Sequence, residues 1–264
     1  MCRLIGYLGS VIPLDQLLYK PEHSLVVQSY KPQEMTAGLL NADGFGIGWY
    51  HGQKDAKPYI YKNILPIWSD NNLANLSRYV ETGCTLAYVR SATPPLAVDY
   101  SNCQPFTHNQ ILFIHNGFIH NFRTSLYRPI RYKLDDTAYQ LILGSTDSEH
   151  IFALVIDEIE KNPGIPLETA LRNTLLQLIE LAKIHSVYFS ANIIVSDGKQ
   201  LVASRYSNRL PTPTLYWLRD DPLYPDGVII ASEPLFKGNW NKIPEASLIT
   251  VTEGLEVEIK PVVL

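Results

Sequence analysis

The order of signals along the chain predicts an α+β fold, with helices layered on antiparallel sheets. Three observations predict it. Short apolar runs bounded by turn residues fill both halves of the sequence, two helical segments follow one another in the middle, and a hairpin signal comes directly after them. A regular strand–helix alternation, the mark of a parallel sheet, does not occur.

Leu4 to Leu8 reads as a short buried strand ending at Gly9, and Phe45 to Tyr50 as another, loosened by Gly44, Gly46 and Gly48. Thr85 to Arg90 and Ile111 to His115 are strand-like runs that lead straight into Ser91-Ala92-Thr93-Pro94-Pro95 and Asn116-Gly117. Both therefore carry polar residues at a strand end. Thr146 to Glu149 matches a capping box ahead of Ile151, Leu154, Val155 and Glu158, and Asn162-Pro163-Gly164 stops that helix. Pro166 suits a first helical turn, and Leu167, Ala170, Leu171, Thr174, Leu175, Leu178, Ile179 and Ala182 recur at helical spacing. Asp197-Gly198 between Val187 to Ser196 and Lys199 to Tyr206 predicts a hairpin. Val228 to Ser232, Leu248 to Val251 and Leu255 to Ile259 continue the strands, with loops expected at Pro211 to Pro213 and Pro222 to Pro225. With no internal repeat and no linker, residues 1–264 are expected to form a single domain.

A net charge of −4 and a pI near 6.0 give no reason to expect nucleic acid or an anionic membrane as partner. Small molecules and other proteins remain, and the sequence leaves a homo-oligomer or a partner enzyme open. The start Met1-Cys2-Arg3-Leu4-Ile5-Gly6 lacks a secretory signal, and no window approaches the ~18 apolar residues of a membrane span, so the expected location is the cytoplasm. Three cysteines, Cys2, Cys84 and Cys103, are an odd number without C-x-x-C spacing, which fits free thiols better than disulfides or structural zinc. His108, His115 and His120 fit no zinc spacing either, and no metal or organic cofactor is expected.

Most cysteines are small buried hydrophobes. Cys2 differs by position: removal of Met1 leaves a thiol and a free α-amine on one residue. Their unperturbed pKa values are about 8.5 and about 8, so passing the proton from sulfur to nitrogen costs under about 1 kcal/mol. Nucleophile and general base can thus be one residue. An oxyanion hole can come from the Asn116 side-chain amide and the Gly117 N–H, although a plain Asn-Gly turn explains the dipeptide equally well. Arg90 can grip a carboxylate with its guanidinium fork, and Asp147 can pair with an ammonium; a structural ion pair and a helix cap are the ordinary explanations of each. Asp43, Trp49, Asn192 and Glu233 read first as structural residues near such a pocket.

In this combination and order the residues resemble the glutaminase domain of class II glutamine amidotransferases. The segments are Met1-Cys2-Arg3 with Gly6, N-A-D-G-F-G-I-G-W at Asn41 to Trp49, Y-V-R-S-A-T at Tyr88 to Thr93, and N-C-Q-P-F at Asn102 to Phe106. They continue with H-N-G at His115 to Gly117, S-T-D-S-E at Ser145 to Glu149 and A-S-E-P-L at Ala231 to Leu235. Within that superfamily, Leu25 to Pro32 with these segments is most similar to the amidohydrolase family of ergothioneine biosynthesis, which removes glutamate from a γ-glutamyl hercynylcysteine sulfoxide conjugate. The resemblance implies a four-layer αββα N-terminal-nucleophile sandwich. It also implies Cys2 as nucleophile, Asn116 and Gly117 as oxyanion hole, Arg90 and Asp147 as ligands of the α-carboxylate and α-ammonium, and Thr93 nearby. Ser91 after Arg90 and Pro94 after Thr93 depart from the Trp and His that many amidotransferases carry there. Two rivals stand beside this expectation: a glutaminase or γ-glutamyl peptidase subunit working with a partner, and a catalytically silent binding module.

Overall fold

A computed structural model of the chain describes residues 2–35, 38–52, 55–92 and 98–263. Among these residues the first strands are β1 (Arg3–Pro13), β2 (Phe45–His51), β3 (Asp55–Asn63), β4 (Glu81–Val89), β5 (Phe106–His108) and β6 (Ile111–Ile119). They are followed by β7 (Phe189–Ser196), β8 (Leu201–Ser207), β9 (Tyr216–Asp221), β10 (Tyr224–Ala231), β11 (Asn241–Lys242), β12 (Ser247–Val251) and β13 (Val257–Pro261). The helices are α1 (Asp15–Leu18), α2 (Leu25–Tyr30), α3 (Leu73–Tyr79), α4 (Tyr127–Arg131), α5 (Asp136–Gln140), α6 (Asp147–Lys161) and α7 (Leu167–Ile184). None is long and apolar enough to cross a membrane.

Every strand pairing is antiparallel. One sheet has the order β11-β9-β10-β1-β4-β2-β3 and the other β13-β12-β8-β7-β6-β5. Strand alternation sorts the side chains into three apolar layers. Ile5, Tyr7, Phe45, Ile47 and Val89 face α1, α2 and α3; Leu4, Leu86, Ile114, Ile194 and Ile249 meet between the sheets; Phe113, Ile193 and Val195 face α6 and α7. The result is helix, sheet, sheet, helix, the four layers that the resemblance implies. The sheets approach closely where side chains are small: a Cβ on Gly48 of β2 would lie 2.8 Å from the Leu112 methyls, and one on Gly6 of β1 would lie 3.2 Å from Ile194 and Leu86.

The two central helices form where their signals predict. Thr146 Oγ1 accepts the Glu149 N–H at 3.2 Å, half of a capping box. The other half differs, because the Glu149 carboxylate turns to the N–H groups of Leu143 and Gly144 and secures the loop before the helix. The β7–β8 hairpin is present with Ser196 opposite Leu201, so its loop is Asp197 to Gln200 and β8 begins two residues later than expected. Asp197 Oδ1 closes that loop on the N–H groups of Lys199 and Gln200. The last strand likewise starts at Val257, not Leu255, which has a positive φ of 61°.

One expectation is corrected outright. Asn116-Gly117 is neither a turn nor a strand end, because β6 runs on to Ile119, with Asn116 opposite Asn192 and Gly117 opposite Ala191 on β7. Pairing along a complete neighbouring strand overrides the local turn preference of the dipeptide.

Candidate active site

The candidate site lies at the end of the inter-sheet layer where central strand β1 begins. β1 and β4 pair so that Arg3 faces Val89, Leu4 faces Tyr88 and Leu8 faces Cys84. One further step along that register sets Cys2 opposite Arg90, and alternation puts Cys2, Leu4, Leu86 and Tyr88 on the inter-sheet face. The Cys2 thiol is nearly buried, at 9% exposure. Tyr88 Oη donates to Cys2 Sγ at 2.7 Å and the Ser91 N–H donates to it at 3.3 Å; the Ser91 carbonyl is 3.6 Å from the sulfur.

Arg90, one residue past the end of β4, is 3% exposed. Its backbone is tied to the Asn41 to Gly44 segment, with Arg90 N donating to Gly44 O at 2.8 Å and Asp43 N donating to Arg90 O at 3.0 Å. The Arg90 guanidinium donates to the Asp43 carbonyl at 3.4 Å, and the Asp43 carboxylate accepts the Ala92 N–H at 2.7 Å. Asp43 therefore fixes the segment that passes over the Cys2 sulfur. Thr93 lies outside the described residues.

On the opposite sheet Asn116 shares the inward face of β6 with Leu112 and Ile114, which pack in the same layer as Cys2 and Tyr88. Asn116 is 1% exposed, yet neither its Nδ2 nor its Oδ1 has a hydrogen-bond partner among the described residues. Buried amides are almost always paired, so this one stands out as available. Beyond Phe113 no strand of the described residues lies beside the outer edge of β6, because β5 ends its pairing there. Side chains take over that edge: Gln104 caps the His115 N–H and C=O, and Asp147 Oδ2 accepts the Ile119 N–H at 2.7 Å. By alternation the Gly117 N–H points to the same edge, between these two. A Cβ on Gly117 would strike the Ser190 carbonyl and the His115 ring, so only glycine fits.

Asp147 is the first residue of α6, half-buried, and its Oδ1 accepts the Ser148 N–H at 2.8 Å. The charges of Arg90 and Asp147 both reach the Tyr88 phenol, with opposite effects on its proton. Burial first, then the adjacent Cys2, pushes the phenol well above the usual tyrosine range, so it stays a donor.

The histidines are engaged elsewhere. His115 points away from the sulfur and bonds Ser148 Oγ at 2.8 Å and the Ser190 carbonyl at 3.1 Å; burial pushes its pKa down. His120 stacks on Tyr188 and His108 sits 3.5 Å from Glu160. Among the described residues no histidine hydrogen-bonds Cys2 Sγ. Trp49 stacks on Tyr59 and faces the helix layer.

Two residues mattered more than their sequence context suggested. Tyr88 stands in a segment read for Arg90 and Thr93, yet it shares the parity of Leu86 on its strand, and that alternation is the signal for a face shared with Cys2. Glu233 is a fully buried hub: it takes Arg3 Nη1 at 3.0 Å, His23 Nε2 at 2.7 Å and the N–H groups of Gln33 and Glu34. Burial alone would raise its pKa, but the bonds from His23, Gln33 and Glu34 and the Arg3 charge hold the carboxyl below its usual range. The hub clamps Arg3, and so the start of β1, to two distant segments.

Comparison with known proteins agrees with this architecture. Residues 20–226 match the model of class-II glutamine amidotransferases, a range that contains Arg90, Asn116, Gly117 and Asp147 and begins after Cys2. The chain is 30% identical to the probable glutamine amidotransferase DUG3 of Saccharomyces cerevisiae, over 95% of this chain and 82% of that protein. It is 31% identical to the gamma-glutamyl-hercynylcysteine sulfoxide hydrolase of Mycobacterium tuberculosis, over 96% of this chain and 94% of that protein. A glutamine aminotransferase class-II domain protein from Silicibacter pomeroyi superposes with a TM-score of 0.71 at 25% identity, covering 98% of this chain and 99% of that one. The glutamine phosphoribosylpyrophosphate amidotransferase of B. subtilis shares the fold, with a TM-score of 0.68 at 15% identity, 100% of this chain covering 50% of that one. The chain belongs to the class-II glutamine amidotransferases.

Proposed function

We propose that this protein hydrolyses γ-glutamyl amides, with Cys2 as nucleophile after removal of Met1 and γ-glutamyl hercynylcysteine sulfoxide as the substrate. Family membership implies amidohydrolase activity, and the similarity to the mycobacterial hydrolases over nearly the whole chain supports the substrate class. The observation that carries the chemistry is the convergence on Cys2 Sγ of two donors, from Tyr88 and Ser91, one residue from Arg90.

In this reading Arg90 and Asp147 hold the α-carboxylate and α-ammonium of the glutamyl head, which directs the γ-carbonyl toward Cys2. Sulfur attacks the carbonyl carbon, and the oxyanion is received by the Asn116 amide and the Gly117 N–H. The freed α-amine of Cys2 takes the thiol proton and returns it to the departing nitrogen, leaving a γ-glutamyl thioester. Water, deprotonated by the same amine, releases glutamate. With His115 bonded to Ser148 and Ser190, the amine is the base that the arrangement favours.

A second reading, favoured by the similarity to the yeast amidotransferase, has the protein act on glutamine or γ-glutamyl peptides beside a partner. Glutamate release from glutamine, a γ-glutamyl dipeptide and the hercynylcysteine sulfoxide conjugate distinguishes them, with mass spectrometry confirming Cys2 as first residue. The conjugate is expected to give the highest kcat/KM without any partner. Efficient glutamine turnover that appears only on adding a second protein would overturn the proposed substrate.

A further inference from the structure

We propose that Tyr88 is a further catalytic residue, whose hydroxyl, together with the Ser91 N–H, receives the negative charge on sulfur when the γ-glutamyl thioester is hydrolysed. This rests on the reading of Cys2 as nucleophile.

Tyr88 is 3% exposed and stands on β4, held between β1 and β2 with Leu4 and Gly46 as its paired residues. Its position is therefore set by two neighbouring strands and not by a loop. Among the described residues Cys2 Sγ is the one hydrogen-bond partner of its hydroxyl. A buried phenol ordinarily finds a partner, and here that partner is the reacting atom itself. The Ser91 N–H approaches the same sulfur, giving two donors on one acceptor.

A neutral thiol is a weak acceptor, whereas a thiolate accepts strongly. Two fixed donors thus suit the charged form. Burial and the adjacent sulfur keep the phenol protonated, which leaves it a donor and excludes it as the base.

The chemistry shows where such donors act. In acylation the S–H proton passes to the Cys2 α-amine as the Sγ–carbon bond forms and the carbonyl π pair moves to oxygen. That pair then re-forms the carbonyl as the carbon–nitrogen bond breaks and nitrogen takes the proton from the α-amine. The sulfur is then neutral. In deacylation a water oxygen bonds the same carbon while its proton passes to the α-amine. The carbon–sulfur bond breaks, and its electron pair returns to Sγ, facing Tyr88 Oη and the Ser91 N–H. Donors already in place lower the barrier for that departure without reorganising.

The test is pre-steady-state kinetics of the mature protein on a γ-glutamyl anilide that releases a coloured amine. Tyr88→Phe is expected to give a burst of about one amine per site, followed by a steady rate about ten- to a hundredfold below that of the unchanged protein, the range for one charge-assisted hydrogen bond. Acid quenching should trap a γ-glutamyl adduct on Cys2. A deacylation rate within twofold of the original, or a loss of rate without adduct, overturns the assignment. Should the phenylalanine variant fail to fold, 3-fluorotyrosine at position 88 strengthens the donor at nearly constant shape. It is expected to speed deacylation, and an unchanged rate overturns the proposal. Cys2→Ala separates the two readings: turnover that survives it overturns the nucleophile and Tyr88 together, whereas a dead Cys2→Ala beside an unaffected Tyr88→Phe overturns Tyr88 alone.

Discussion

Cys2 and Cys84 face the same inter-sheet layer from opposite ends of the β1–β4 pair, and their surroundings differ sharply. Leu8, the partner of Cys84, lies six positions after Cys2, a distance of roughly 20 Å along an extended strand. Both thiols are nearly out of solvent, at 9% and 3% exposure. Among the described residues the Cys84 sulfur hydrogen-bonds only the Ser196 hydroxyl, at 3.3 Å, and burial pushes its thiol up to about 12. Cys2 has the Tyr88 hydroxyl, the Ser91 N–H, and Arg90 opposite it by strand register. Under the proposed mechanism, donors at the sulfur and a proton acceptor on the same residue, not burial, set the reactive thiol of this sandwich apart.

The largest expected effect tests that contrast directly. Cys2→Ala should lower kcat by about 10⁴-fold or more, as loss of a covalent nucleophile does elsewhere. Cys84→Ala should stay within twofold of the original rate. Glutamate release measures both, and a comparable fall in the two variants would break the comparison. Brief alkylation near neutral pH, followed by peptide mass mapping, sharpens it: label is expected on Cys2, with Cys84 protected by burial and protonation.

The next effect in size concerns the sheet across the layer. Asn116→Ala should reduce kcat by about 10²- to 10³-fold with a small change in KM, the usual result of removing one oxyanion donor. Because neither amide atom of Asn116 has a hydrogen-bond partner among the described residues, its removal strands no described neighbour, and the unfolding temperature should barely move. A fall in stability with unchanged kcat would instead make Asn116 a structural residue.

The sequence carried the scaffold well and the site's connections poorly, for physical reasons. α6 and α7 are long, periodic and bounded by Thr146, Asn162 and Pro166, so local rules suffice for them. α1, α2 and α3 span four, six and seven residues, and packing on the first sheet, rather than a long periodic face, holds them in place. Edge strand β3 contains Asp55, Lys57, Pro58 and Lys62, a composition that hides strand character. Asn116-Gly117 misled because turn preference is local, while its pairing partners lie 74 or more residues away on β7. The Arg3–Glu233 bond spans 230 positions, and the Tyr88–Cys2 bond 86. No window along the chain can contain such pairs; the alternation of Leu86 and Tyr88 gives a direction but not a partner.

The smallest expected effect is at Cys84, and it shows whether that end of the layer is only packing. The Cys84 sulfur fills space beside Leu8 and Leu86 and touches Ser196 Oγ, which already donates to the Gln200 carbonyl at 2.7 Å and accepts the Gly198 N–H at 3.0 Å. Cys84→Ala therefore leaves no buried polar group unpaired, and the cost is the lost contact of one sulfur, about 1 kcal/mol. For a chain of this length that corresponds to a fall of about 2–4 °C in Tm, if unfolding is a single transition. A drop several times larger would mean that the thiol orders the Asp197 to Gln200 loop through Ser196. Cys84→Ser would then recover most of the loss, because a hydroxyl at that position can keep the contact with Ser196 while the sulfur's volume stays missing.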